Sequence, residues 1–115
     1  MITGTADITP LVAAGVALIE DKRPGAVALL DPAELRIASS CDCPLGQTFG
    51  SYAKGCRALR LDDFGAARHG FMWPSAGFGS GFSSHAFIAE LEAEWVRVIS
   101  KRRAALALAA GGGTP

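Results

Sequence analysis

Large apolar side chains fall at helical spacing in three stretches of the chain, and the segments between them carry the turn formers. Leu11, Val12, Gly15, Val16, Leu18 and Ile19 lie three and four apart, which predicts a helix over residues 9–23. Thr9-Pro10 is a good start for it, because the threonine hydroxyl accepts from an orphan amide and proline gives up no bond in a first turn. Pro24-Gly25 then stops it. Asp31-Pro32 repeats the start grammar and predicts a short helix over 32–38 with Leu35 inward, a strand through Leu29, Leu30 and Ile37 being the alternative.

From Pro44 the large side chains recur at Leu45, Phe49, Tyr52, Cys56 and Leu59, alternately four and three apart, the spacing of a helix packed on another helix. This predicts a central helix over 43–60. Glycines at 46, 50 and 55 each cost about 1 kcal/mol against alanine in a helix interior, so the helix depends on tertiary contacts. A break at Gly50-Ser51, with Ser51 capping a second segment, is the alternative. A short helix over 61–69, capped by Asp62 or Asp63 and ended by Gly70, comes next.

The third long stripe, Phe87, Ile88, Leu91, Trp95, Val98 and Ile99, belongs to a helix over 84–108 capped by Ser83 or Ser84 and expected to lie along the central helix. The pattern as a whole predicts an all-α bundle of three main helices, with one or two short helices and a glycine- and aromatic-rich loop over 71–82. A chain of 115 residues fits one domain, taken as residues 1–110 with a flexible tail over 111–115.

Composition narrows the function classes. Eleven basic and eleven acidic residues cancel, so no global field draws the chain to nucleic acid or acidic membranes. The run Leu11 to Ile19 is shorter than the roughly 18 residues of a membrane span, and no lysine or arginine precedes it as a signal sequence requires. Three cysteines cannot all pair within one chain, so reduced thiols in a cytoplasm are the simplest expectation.

The chemistry-bearing residues gather at Ser39 to Leu61, which holds all three cysteines. Cys56 lies on the apolar stripe, where a thiol acts as a small hydrophobe. Cys41 and Cys43 stand at the helix entrance, where amide dipoles favour a thiolate, and are the more reactive candidates. With His69 and His85 they offer the ligand types of a zinc site, but Cys-x-Cys is not the usual Cys-x2-Cys knuckle and no second knuckle follows. No cofactor is therefore the leading expectation, with zinc the alternative. A Cys–His catalytic pair has no flanking signature to support it, so a non-enzymatic chain is the leading expectation.

Gly70 to Phe82 holds Phe71, Trp73, Phe78 and Phe82 among four glycines, with neither the preceding strand nor the Gly-Lys-Ser/Thr of a phosphate loop. Such aromatics either fold back over the core or anchor a protein partner. Lys101, Arg102 and Arg103 form a short basic run at the end of the last helix, a weak candidate for nucleic-acid contact and otherwise a solvated face.

In order, Arg23-Pro24-Gly25, Cys43-Pro44-Leu45-Gly46-Gln47 with Phe49-Gly50 and Tyr52, Gly70-Phe71, and Leu91 to Trp95 with Arg102-Arg103 resemble a group of small uncharacterised proteins from actinobacteria and their phages. The resemblance covers roughly residues 9–103 and departs at Ala26, where a tryptophan is expected, at the extra Cys41 and at the longer insert after Trp73. It implies a helical fold and a phage or host setting, with no known activity. The function expected from all this is a small non-enzymatic interaction protein binding a protein partner, or itself, through the aromatic loop and adjacent helix faces. A zinc-binding or thiol-dependent domain using Cys41 and Cys43 is the first alternative and a nucleic-acid accessory factor the second.

Overall fold

The computed structural model describes residues 4–72 and 84–112. Among them the chain is all-α: six helices and no strand. Helix α1 spans Gly4–Lys22, α2 Ala26–Leu29, α3 Pro44–Phe49, α4 Tyr52–Leu59, α5 Asp63–Arg68 and α6 Ser84–Gly112.

Two long helices make the frame. On α1 the buried residues Ile8, Val12, Val16 and Ile19 follow one another at four- and three-residue steps, and on α6 Phe87, Leu91, Trp95 and Ile99 recur every fourth residue. Ile8 belongs to the α1 stripe, which is why the helix begins upstream of Thr9-Pro10 and carries Pro10 in its interior rather than in its first turn. The α6 stripe packs on α1 and α2, not along the central segment as its spacing had suggested.

Between α1 and α2 the chain reverses at Arg23-Pro24-Gly25, with Gly25 at φ 86°, a left-handed conformation that glycine adopts without a Cβ penalty. Helix α2 was not expected from the pattern. Its four residues bury only Val27, followed by Leu30, and its ends are held from outside. The Glu20 carboxylate accepts from the amides of Gly25 (2.8 Å) and Val27 (3.1 Å) at its start. At its end Arg103 donates to the Leu30 carbonyl at 2.9 Å.

The short helix expected over 32–38 does not form. Asp31 makes a single turn, accepting from Ala33 at 3.0 Å, and the chain then extends. Leu35 and Ile37 are both buried with exposed Arg36 between them. Residues two apart point the same way only on an extended chain, so a helix here would have pulled one of them out of the core. The Ile37 amide is taken by Glu92 of α6 at 2.9 Å.

The expected central helix is two helices. Gly50, at φ 105°, ends α3, and the Ser51 hydroxyl restarts the chain by accepting from the Lys54 amide at 3.1 Å. The seam therefore closes α3 against α4 as a hairpin. Leu45 is fully buried, while Phe49, Tyr52, Cys56 and Leu59 are half-buried at its margin. Asp62 caps α5 by accepting from Gly65 at 2.7 Å, and Gly70 follows in the left-handed region at φ 73°. Of the expected tail at 111–115, Gly111 and Gly112 are the last residues of α6, and residues 113–115 lie outside the described residues.

Candidate functional site

The cysteine-bearing corner is built by the residues that made it look like a chemical site. Ser39 starts it, its hydroxyl accepting from the Asp42 amide at 3.2 Å while its carbonyl accepts from the Cys43 amide at 3.1 Å. Cys43 is the N-cap of α3: its sulfur accepts from the Gly46 amide at 3.3 Å and faces the Ser40 carbonyl at 3.8 Å. Pro44 occupies the first turn and Leu45 goes to the core. A Cβ on Gly46 would run into the backbone of Ser40 and Cys41, so only glycine lets the loop lie on the helix. Gln47 ties two loop segments together, its amide nitrogen donating to Asp42 (3.0 Å) and Asp31 (3.2 Å) and its oxygen accepting from Asp31 at 2.6 Å.

This geometry changes the chemistry expected of Cys43. The helix-entrance amide does stabilise a thiolate, but the side chain is fully buried, and desolvation outweighs that contribution and pushes the thiol pKa up. Cys43 is a protonated structural cap. Cys56 is half-buried, and burial pushes its thiol up as well, against the opposing hydrogen bond from Tyr52. The Tyr52 phenol is raised by burial and donates to Asp63 at 3.2 Å. Cys41 is exposed.

His69 is half-buried at the end of α5. Its Nδ1 lies 2.7 Å from the Gly65 carbonyl and its ring is parallel to Phe71 at 6.3 Å between centroids. Among the described residues no three histidine, cysteine, aspartate or glutamate side chains converge as a metal site would require. The side chain of His85 lies outside the described residues.

Of the aromatic candidates, Phe71 is corrected. It is 1 % exposed and stacks on Trp95 at 5.7 Å between centroids, so it is a core residue and offers no surface to a partner. Burial suits it because Trp95 Nε1 donates to the Gly70 carbonyl at 2.7 Å, which pins the Gly-Phe corner against α6. Trp73, Phe78 and Phe82 lie outside the described residues.

The basic run is divided. Arg103 holds the end of α2, Arg102 lies 3.8 Å from Glu20, and Lys101 is exposed. Two of the three cations thus have carbonyl or carboxylate partners within the chain, which leaves one fully available to a phosphate.

One surface was underweighted in the sequence. From Lys101 to Leu108 every side chain of α6 is exposed, with Leu106 at 57 % and Leu108 at 75 %. Twelve residues, 101–112, form about 18 Å of helix at 1.5 Å each, in a molecule whose longest extent is 57 Å. From Ala104 to Gly112 the helix has no charge. The available signal was register: Leu106 is seven residues after Ile99, so it continues the buried stripe past the end of the core. At the root of this extension lies a shallow groove of about 240 Å3 between Thr9, Ala13 and Ala17 of α1 and Glu94, Val98 and Arg102 of α6. That is below the roughly 300–1,000 Å3 of small-molecule pockets. No helix among the described residues is long and apolar enough to cross a membrane. No protein family, curated protein or solved structure matches the chain.

Proposed function

We propose that this chain is a non-enzymatic interaction protein that binds a protein partner through the distal part of α6 and through Trp73, Phe78 and Phe82 of the aromatic segment. The observation that carries the reading is the exposed, uncharged turn-and-a-half around Leu106 and Leu108. An apolar helix standing off its own core is what a protein groove receives in helix-in-groove recognition, and large exposed apolar patches mark such contacts. Two of the three cysteines support it indirectly, since Cys43 and Cys56 are held protonated by burial and supply no nucleophile near neutral pH. The phage or host setting implied by the motif resemblance is part of the same proposal.

The test is affinity capture from an actinobacterial lysate with the tagged chain and with Leu106→Glu, Leu108→Glu and Trp73→Ala. A partner retained by the parent and lost from the glutamate variants is the expected result. Identical captures by all four proteins would remove distal α6 and the aromatic segment from the account.

A further inference from the structure

The groove and the exposed extension lie along one line of one helix. Arg97 lines the groove with Glu94, Val98 and Arg102, and Leu108 follows Arg97 by eleven residues, about three turns, so it emerges on the same side of α6. Along that line the surface is concave as far as Arg102, with Ala13 and Ala17 of α1 forming the opposite wall, and then becomes a free-standing ridge. A patch that carries a depression and a projection side by side is self-complementary under a two-fold rotation, the requirement for an isologous contact.

We propose that a second copy of this chain occupies the groove: the distal α6 of each copy lies antiparallel in the α1–α6 groove of the other, with Leu108 against Ala13, Ala17 and Val98. This rests on the reading of distal α6 as a contact surface and names its occupant. The two-fold axis crosses α6 midway between Val98 and Leu108, at Arg103. Three observations favour a second copy over an unrelated partner. The ridge has no charge from Ala104 onward, so it brings no ion of its own to be desolvated when Leu108 settles between the charged residues that rim the groove. Arg97, which is ion-paired with Glu94 in the groove wall, comes opposite the last turn of the other α6, where unpaired carbonyls concentrate negative charge. Finally, the area suits a reciprocal contact. Covering half the circumference of an 18 Å helix about 10 Å across hides roughly 280 Å2, too little for a stable contact, but a ridge and a groove from each copy double it. The total, roughly 1,100 Å2 over both copies, falls at the low end of specific interfaces, so the dimer is weak and depends on concentration.

Sedimentation velocity on the purified full chain, from roughly 1 to 300 µM, reads this directly. The expected mass rises from 11.9 kDa toward twice that value across the range. Leu108→Glu on the ridge and Ala17→Lys in the groove are both at exposed positions, and circular dichroism confirms that each variant is folded. Each alone weakens dimerisation at least tenfold. Mixing the two variants restores it, because the glutamate of one copy then meets the lysine of the other. A monomer at 300 µM overturns the proposal, and so does a dimer that neither substitution weakens. The outcomes separate from those of lysate capture. A monomeric chain whose Leu108→Glu variant loses a lysate partner sinks self-association and leaves the proposed function standing. A dimer broken by Leu108→Glu while the lysate partners are unchanged does the reverse.

Discussion

Replacing Cys43 by alanine separates a structural cap from a chemical site. Two contributions are lost. The Gly46 amide, buried at the start of α3, loses its acceptor at 3.3 Å, and a buried donor left without a partner costs about 1–2 kcal/mol, the lower figure suiting a sulfur acceptor. Removing a fully buried sulfur costs about 1 kcal/mol more, comparable to a methylene with its cavity. The sum is about 2 kcal/mol, a sizeable part of the 5–15 kcal/mol that holds a domain of this size. At about 4 °C per kcal/mol it lowers Tm by about 8 °C. Urea unfolding followed by circular dichroism measures the first figure and calorimetry the second. Labelling with an aromatic disulfide gives an independent reading: Cys41 reacts at once in the native protein, and Cys43 reacts only as the chain unfolds. A loss of under about 0.5 kcal/mol in Cys43→Ala, or labelling of Cys43 as fast as Cys41, would refute the capping argument.

Trp95→Phe removes the indole donor and leaves the Gly70 carbonyl buried without it, besides shrinking a ring packed on Phe71. The expected loss is about 2–4 kcal/mol by urea unfolding, and a neutral result would mean that the corner at Gly70 is not pinned by α6. Stability also falls at alkaline pH. Burial raises the thiol pKa values of Cys43 and Cys56 in the folded chain, so their contribution is complete below the unfolded thiol value near pH 8.5 and is lost as pH rises beyond it toward the folded values. Unfolding free energies measured between about pH 7 and 10.5 decline over the upper half of that range, and the decline is shallower in Cys43→Ala; parallel curves would contradict it.

The long helices were legible because burial on one face leaves a period in the sequence. Val12, Val16 and Ile19 on α1 and Phe87, Leu91, Trp95 and Ile99 on α6 are the stripes that the spacing marks. What the period does not encode is the partner. The α6 stripe reads the same whether it meets α1 or α4, and only tertiary contact decides. Helix α2 was missed for a related reason: four residues contain barely one turn, and its capping groups come from Glu20 and from Arg103, 73 residues beyond Leu30. The segment 32–38 misled because Asp31-Pro32 opens a turn as readily as a helix. Cys43 was assigned reactivity from its place at a helix entrance, a position visible in sequence, whereas the burial that reverses its chemistry is not. Leu106 and Leu108 were legible as residues of the helix expected over 84–108, but their spacing does not say that this end of the helix stands clear of the core.

The four-residue helix between Arg23 and Leu30 has a consequence for the order in which the molecule assembles. Alone it is far below the length at which a helix holds itself in water. Its first amides wait for Glu20, which is close by, but its last carbonyl waits for Arg103, and the neighbouring Ile37 amide waits for Glu92, 55 residues away. The N-terminal third of the chain therefore sets its own corner only when the final helix docks. Closing those long loops is an entropic toll levied late in folding, so this corner should be among the last parts to gain protection from hydrogen exchange during refolding and among the first to lose it when α6 loosens.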